Sequence, residues 1–151
     1  MISKTIESCN DYIFWVDKFF HVEGLRLLIQ SLESSKVKNI KILTSIDKAD
    51  DSLRRSFKDF RDEMKNNQVT SELRVIADPN LKASIHDRWL ISKNNCFNIP
   101  SPDVVARGQY SEIKSTQNRP PFDDWWNKSL NIIDDWNQIQ NSRSKSDSKF
   151  Y

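Results

Sequence analysis

The chain has 151 residues, with 23 Lys or Arg against 21 Asp or Glu and a formal net charge of +2, which is enough for one domain with a core and short for two. Hydrophobic content of 37% with 11% aromatics, including five Trp, excludes a disordered chain, and the mildly basic balance permits an anionic partner without demanding one. Cys9 and Cys96 form no CxxC pair and have no clustered histidines beside them, so neither a zinc site, a disulfide scaffold nor a cofactor is expected. The first twenty residues lack an apolar leader region, and no stretch approaches 18 consecutive apolar residues; the expectation is a soluble cytoplasmic protein without a transmembrane segment.

In chain order, 11–20 (DYIFWVDKFF) is dense in aromatic and β-branched residues and predicts a buried first strand, with Asp17 lodged as a charge among apolar neighbours. A helix is expected over 23–34, where Leu25, Leu28, Ile29 and Leu32 share a stripe, and 38–45 reads as a second strand. Over 50–66 Leu53, Phe57, Phe60 and Met64 recur at intervals of four, three and four, which predicts an amphipathic helix. Its other face is charged (Arg54, Arg55, Lys58, Asp59, Arg61, Asp62), a pattern that solvation alone accounts for.

A third strand is expected over 71–77, closed by a turn at Asp78-Pro79-Asn80. A strand at Trp89-Leu90-Ile91 follows His86-Asp87-Arg88, and a short piece runs from Cys96 to Ile99. After Arg119-Pro120-Pro121, one final helix carries Phe122, Trp126, Ile133 and Trp136 on one side. The alternation of strand and helix predicts a single α/β domain over 1–140, with a mixed sheet of five to seven strands. The serine- and charge-rich stretch 141–151 is expected to be a mobile tail.

The chemistry centres on SIHDRWLISK, 84–93. On an extended chain His86 and Arg88 point to the same face, which would aim a nucleophile or base and a permanent cation at one phosphate. Lys82 and Lys93 add cations, and Asp17 is the acid that could orient His86. A lone strand histidine is also a common structural residue.

The segment from Val37 to Lys93, with VKNIKILTS, a long charged helix, a strand and IHDRWLI, resembles the phospholipase-D-like fold, over about 10–130. More narrowly it is similar to the phospholipase-D-like domain at the C-terminus of MIT-domain proteins that work with the ESCRT machinery. The resemblance implies a mixed β-sheet flanked by helices and an H-x-K-(x)4-D signature. His86 stands at the histidine of that signature, Arg88 at its lysine and Lys93 at its aspartate; the later small-residue element corresponds loosely to Gly108-Gln109-Tyr110-Ser111.

The charge reversal at Lys93 favours binding over turnover. The first expectation is therefore a catalytically degenerate domain that binds a phosphate-bearing ligand, nucleic acid or an acidic lipid headgroup, through His86, Arg88, Lys93, Ser111 and Asp17. The alternative is a homodimeric phosphodiesterase or nuclease with a phosphohistidine at His86, because the chain carries one such motif. A third reading is a protein-interaction module anchored by Tyr110 and Trp125.

Overall fold

In a computed structural model the described residues are 2–32, 36–99 and 114–148. Helix α1 (Ile2–Glu7) leads into strand β1 (Asn10–Val16). Then come α2 (Val22–Ser31), β2 (Lys36–Ser45), a 3-10 turn at Ile46–Lys48, α3 (Asp51–Asn66) and β3 (Thr70–Ile76). The second half holds α4 (Pro79–Ser84), β4 (Arg88–Ile91), β5 (Cys96–Ile99), β6 (Lys114–Ser115), α5 (Phe122–Asn127), β7 (Leu130–Asn131) and α6 (Trp136–Ser148).

Among the described residues the strands form one open mixed sheet of seven, in the order β6-β5-β4-β1-β2-β3-β7. β1, β2 and β3 are parallel, and β4, β5, β6 and β7 join antiparallel. The parallel trio gives the sheet two chemically distinct edges. The carboxyl edge carries the ends of β1 to β3 and the start of β4; the amino edge carries their beginnings and the end of β4.

Period-two alternation divides the core. Ile13, Trp15, Ile40, Ile42, Leu73, Val75 and Leu90 face the cluster built with α2, α3 and Ile139 of α6. Val16, Leu43, Ile76 and Ile91 face a smaller cluster closed by Phe122 and Trp126 of α5. The stripe Leu53, Phe57, Phe60 and Met64 is buried as its spacing requires. Burial pushes the Cys9 thiol up to about 11 and raises that of Cys96, so both are apolar core residues.

Several elements differ from expectation. The first strand ends at Val16, because Asp17 turns the chain. Its main-chain N–H donates to the Leu43 carbonyl at 3.0 Å, and its carboxylate accepts from the Phe19 N–H at 2.9 Å. The expected turn at 78–80 is the capped start of α4, with the Asp78 carboxylate accepting from the Asn80 N–H. The single helix expected after Pro121 is two. The Asn131 and Asp135 carboxyl and amide oxygens take N–H groups between α5 and α6, closing a turn around β7. The stretch expected as a tail from Asn141 continues α6 as far as Ser148, and Arg143 reaches the Ile46 carbonyl at 3.4 Å. Among the described residues no helix is long and apolar enough to cross a membrane.

Candidate functional site

The residues singled out around β4 do not assemble at one place. β4 runs from Arg88 at the carboxyl edge to Ile91, and Lys93 follows at the amino edge, where its N–H meets the Asn10 carbonyl at 3.4 Å. Five residues of extended chain separate Arg88 from Lys93, about 16 Å. Ser111 and Tyr110 lie outside the described residues. Trp125 is half-buried against the smaller core cluster.

At the carboxyl edge, Trp15, Asp17, Phe19, Phe20, His21, Glu23, Gly24, Leu27 and Arg88 line a cleft of about 200 Å³. The turn from β1 to α2 is pinned from β2. The Thr44 hydroxyl donates to the Phe20 carbonyl at 2.9 Å and the Ser45 hydroxyl to the Lys18 carbonyl at 2.7 Å. Gly24 lets the Phe20 ring pass under α2; a Cβ there would sit 2.3 Å from a ring carbon. Among the described residues Phe19 is the exception to the burial of large apolar groups, 51% exposed.

Within this cleft the charges answer one another. Arg88 Nη1 lies 3.3 Å from the Asp17 carboxylate, the two side chains 17% and 6% exposed. Burial raises the Asp17 pKa above the ordinary carboxylate range, and the Phe19 N–H and the Arg88 charge only partly counter it. His21 Nε2 lies 2.9 Å from Asp50, whose carboxylate also caps α3 by accepting from the Leu53 N–H. Burial opposes the Asp50 charge, but that N–H and the His21 ring outweigh it and hold the carboxyl below its usual value. Lys82 pairs with Asp47. His86 is exposed, precedes β4 rather than lying in it, and is not among the cleft's lining residues. The period-two rule does not apply because the strand begins at Arg88.

The amino edge is different. Asn10, Asp11, Lys36, Val37, Lys38, Asn67, Gln68, Val69, Lys93 and Asn94 line an open trough of about 940 Å³. Lys36, Lys38 and Lys93 are exposed, and among the described residues none of them makes an ion pair. Four amide side chains surround them and Asp11 is the one carboxylate in the lining.

Backbone irregularity concentrates in the same trough. The β1–β2 register shifts between Asp11 and Tyr12, leaving Lys38 as the extra residue of a bulge. Among the described non-glycine residues, positive φ occurs at Asp11 (71°) and Gln68 (63°), both in the lining. Gln68 has a local cause. α3 ends in a Schellman motif, with the Val69 N–H donating to the Met64 carbonyl at 2.8 Å and the Gln68 N–H to Lys65 at 3.0 Å. That motif places a left-handed residue just past the helix, where Gly or Asn is the usual choice. Sequence reasoning missed this site because its residues come from four separate segments; the signal available was the Lys-x-Lys at 36–38 and the amide run around Lys93.

No family model matches the chain, and no curated protein matches it. Among solved structures it is similar to TrmBL2, described as an archaeal chromatin protein with a novel mode of DNA binding, at 18% identity and a TM-score of 0.52. The match covers 85% of this chain and 48% of TrmBL2, so the chain spans about half the length of that protein. At this identity the likeness establishes the mixed α/β fold. It also corrects the family resemblance that the short blocks ILTS and IHDRWLI suggested: no phospholipase-D-like or MIT-linked family is indicated.

Proposed function

We propose that this domain binds nucleic acid through the phosphate backbone, at the amino-edge trough. The observation that carries the reading is the contrast in charge pairing: Lys36, Lys38 and Lys93 stand exposed and unpaired among the described residues, while Arg88, Lys82 and His21 are each matched to a carboxylate. A lysine already satisfied by an acid must give up that partner to hold a phosphate; an unpaired one gives up only water and counterions. The surrounding Asn and Gln side chains supply further donors of the kind that contact phosphate and sugar. The shared fold with TrmBL2, named for DNA binding, favours nucleic acid over an acidic lipid headgroup as the source of the phosphates. Of the candidates around β4, Lys93 belongs to this footprint, and Asp17, His86 and Arg88 lie at the other edge.

The test is a fluorescence-anisotropy titration with labelled DNA, in parallel with co-sedimentation on acidic lipid vesicles. The combined substitution Lys36→Ala, Lys38→Ala and Lys93→Ala should weaken DNA binding by tenfold or more, since a hydrogen bond to a charged group contributes roughly 1.5–3 kcal/mol net of competition from water. Lys128→Ala, at the exposed position just past α5, should leave it unchanged. DNA affinity indifferent to the triple substitution, or binding to vesicles alone, would refute the proposal.

A further inference from the structure

One sector of the charged face of α3 is basic. Arg54, Lys58, Arg61 and Lys65 recur at intervals of four, three and four, so at 3.6 residues per turn they occupy one narrow sector. That sector flanks the buried stripe: Arg54, Lys58 and Arg61 are half-buried, their stems lying along the helix shoulder, and Lys65 is exposed. Asp59, Asp62 and Glu63 fall on a different sector.

Arg54 is engaged, 2.6 Å from Asp51 and stacked 4.8 Å over the Trp136 ring. Lys58, Arg61 and Lys65 make no ion pair among the described residues. The helix then delivers Asn67 and Gln68 directly into the trough lining, within one turn of Lys65. The stripe therefore runs along α3 from within one turn of the trough.

We infer that the ligand is a nucleic-acid duplex, held by one stretch of backbone in the trough while a further stretch follows the Lys58–Arg61–Lys65 stripe. The inference rests on the proposed function and deepens it. Two observations select a duplex over a single strand. From Lys58 to Lys65 the helix rises about 10.5 Å, which corresponds to roughly three nucleotides along one strand at 3.4 Å each. A regular backbone presents phosphates at that spacing without being ordered first. Second, no aromatic side chain is in the trough lining, so a splayed base finds no ring to stack on there, the contact that single-strand sites rely on.

The experiment compares the salt dependence of binding for a duplex of about 24 base pairs and for its isolated strands, with slopes near −0.9 per phosphate contact for duplex and −0.7 for single strands. For Lys58→Gln/Arg61→Gln/Lys65→Gln, with circular dichroism verifying the fold, the duplex slope should become shallower by about 2.7, three contacts at 0.9 each. Duplex affinity at moderate salt should fall by tenfold or more. A hairpin of about eight base pairs, long enough for the trough alone, should lose much less. An unchanged duplex slope in this variant, with the trough triple variant still defective, would overturn the inference and leave the proposed function standing, as would tighter binding of the single strand. A wild-type chain that binds neither form would remove both.

Discussion

The two edges of the central sheet both carry ionisable side chains and use them in opposite ways. At the carboxyl edge Arg88 meets Asp17, Lys82 meets Asp47 and His21 meets Asp50, and these contacts tie β4, α4 and the starts of α2 and α3 to the ends of β1 and β2. At the amino edge Lys36, Lys38 and Lys93 share a trough with a single carboxylate, on a backbone that includes a bulge and two left-handed residues. The first arrangement lowers the cost of burying charge. The second leaves charge and mild strain uncompensated, a combination that folding alone does not select and that a bound anion would offset. Cations of one formal charge can thus serve stability or binding, and pairing distinguishes the two.

The comparison can be broken from either side, beginning with the largest effect. Arg88→Ala leaves Asp17 buried without its cation and should destabilise by about 3 kcal/mol at neutral pH by chemical denaturation. DNA affinity of the folded fraction should not change. Because burial raises the Asp17 pKa, the folded state binds its proton more tightly than the unfolded chain does. Asp17 therefore favours folding most below the unfolded carboxyl value of about 3.9, and stability is lost as pH rises through the raised folded value. The Arg88→Ala defect should accordingly shrink in acid, and a defect that is flat with pH would contradict the pairing. The lysine triple substitution should give the converse result: binding down by tenfold or more, about 1.4 kcal/mol, with stability essentially unchanged.

Asp50→Ala removes the N-cap of α3 and the partner of His21 and should cost about 1–2 kcal/mol. Its carboxyl is held below the ordinary value in the folded protein, so the stability it gives is present above pH about 3.9 and disappears as pH falls through the lowered value. Wild type and variant should converge in strong acid. The smallest effect sharpens the comparison most. Gln68→Gly relieves the left-handed position after α3 and should raise stability by about 0.5–1 kcal/mol while leaving the lysines in place. Weaker DNA binding in that more stable variant would show that the Gln68 amide is part of the footprint.

The parts of this fold written in local periodicity were legible in the sequence. The α3 stripe, the apolar alternation of β2 and β3, and the proline-marked start of α5 all follow from spacing within a single segment. What could not be read was the sharing of space between segments. His86 and Arg88 are two residues apart and looked like one constellation, but β4 begins at Arg88, and Asp17, 71 residues away, claims its guanidinium. Lys93 looked like the end of the same motif and lies at the opposite edge. The trough draws on the starts of β1 and β2, the end of α3 and the turn after β4, so its lysines became neighbours only once the parallel order of the strands was known.

The central claim is that the unpaired edge, and not the paired one, meets the ligand. Backbone amide resonances recorded while duplex DNA is added to the intact chain test it most directly. The account predicts that Asn10, Asp11, Lys36, Lys38, Gln68, Lys93 and Asn94 shift or broaden first, and that Asp17, His21, Asp47, Lys82 and Arg88 stay in place. Perturbation centred on Asp17 and Arg88, with the trough unmoved, would contradict it.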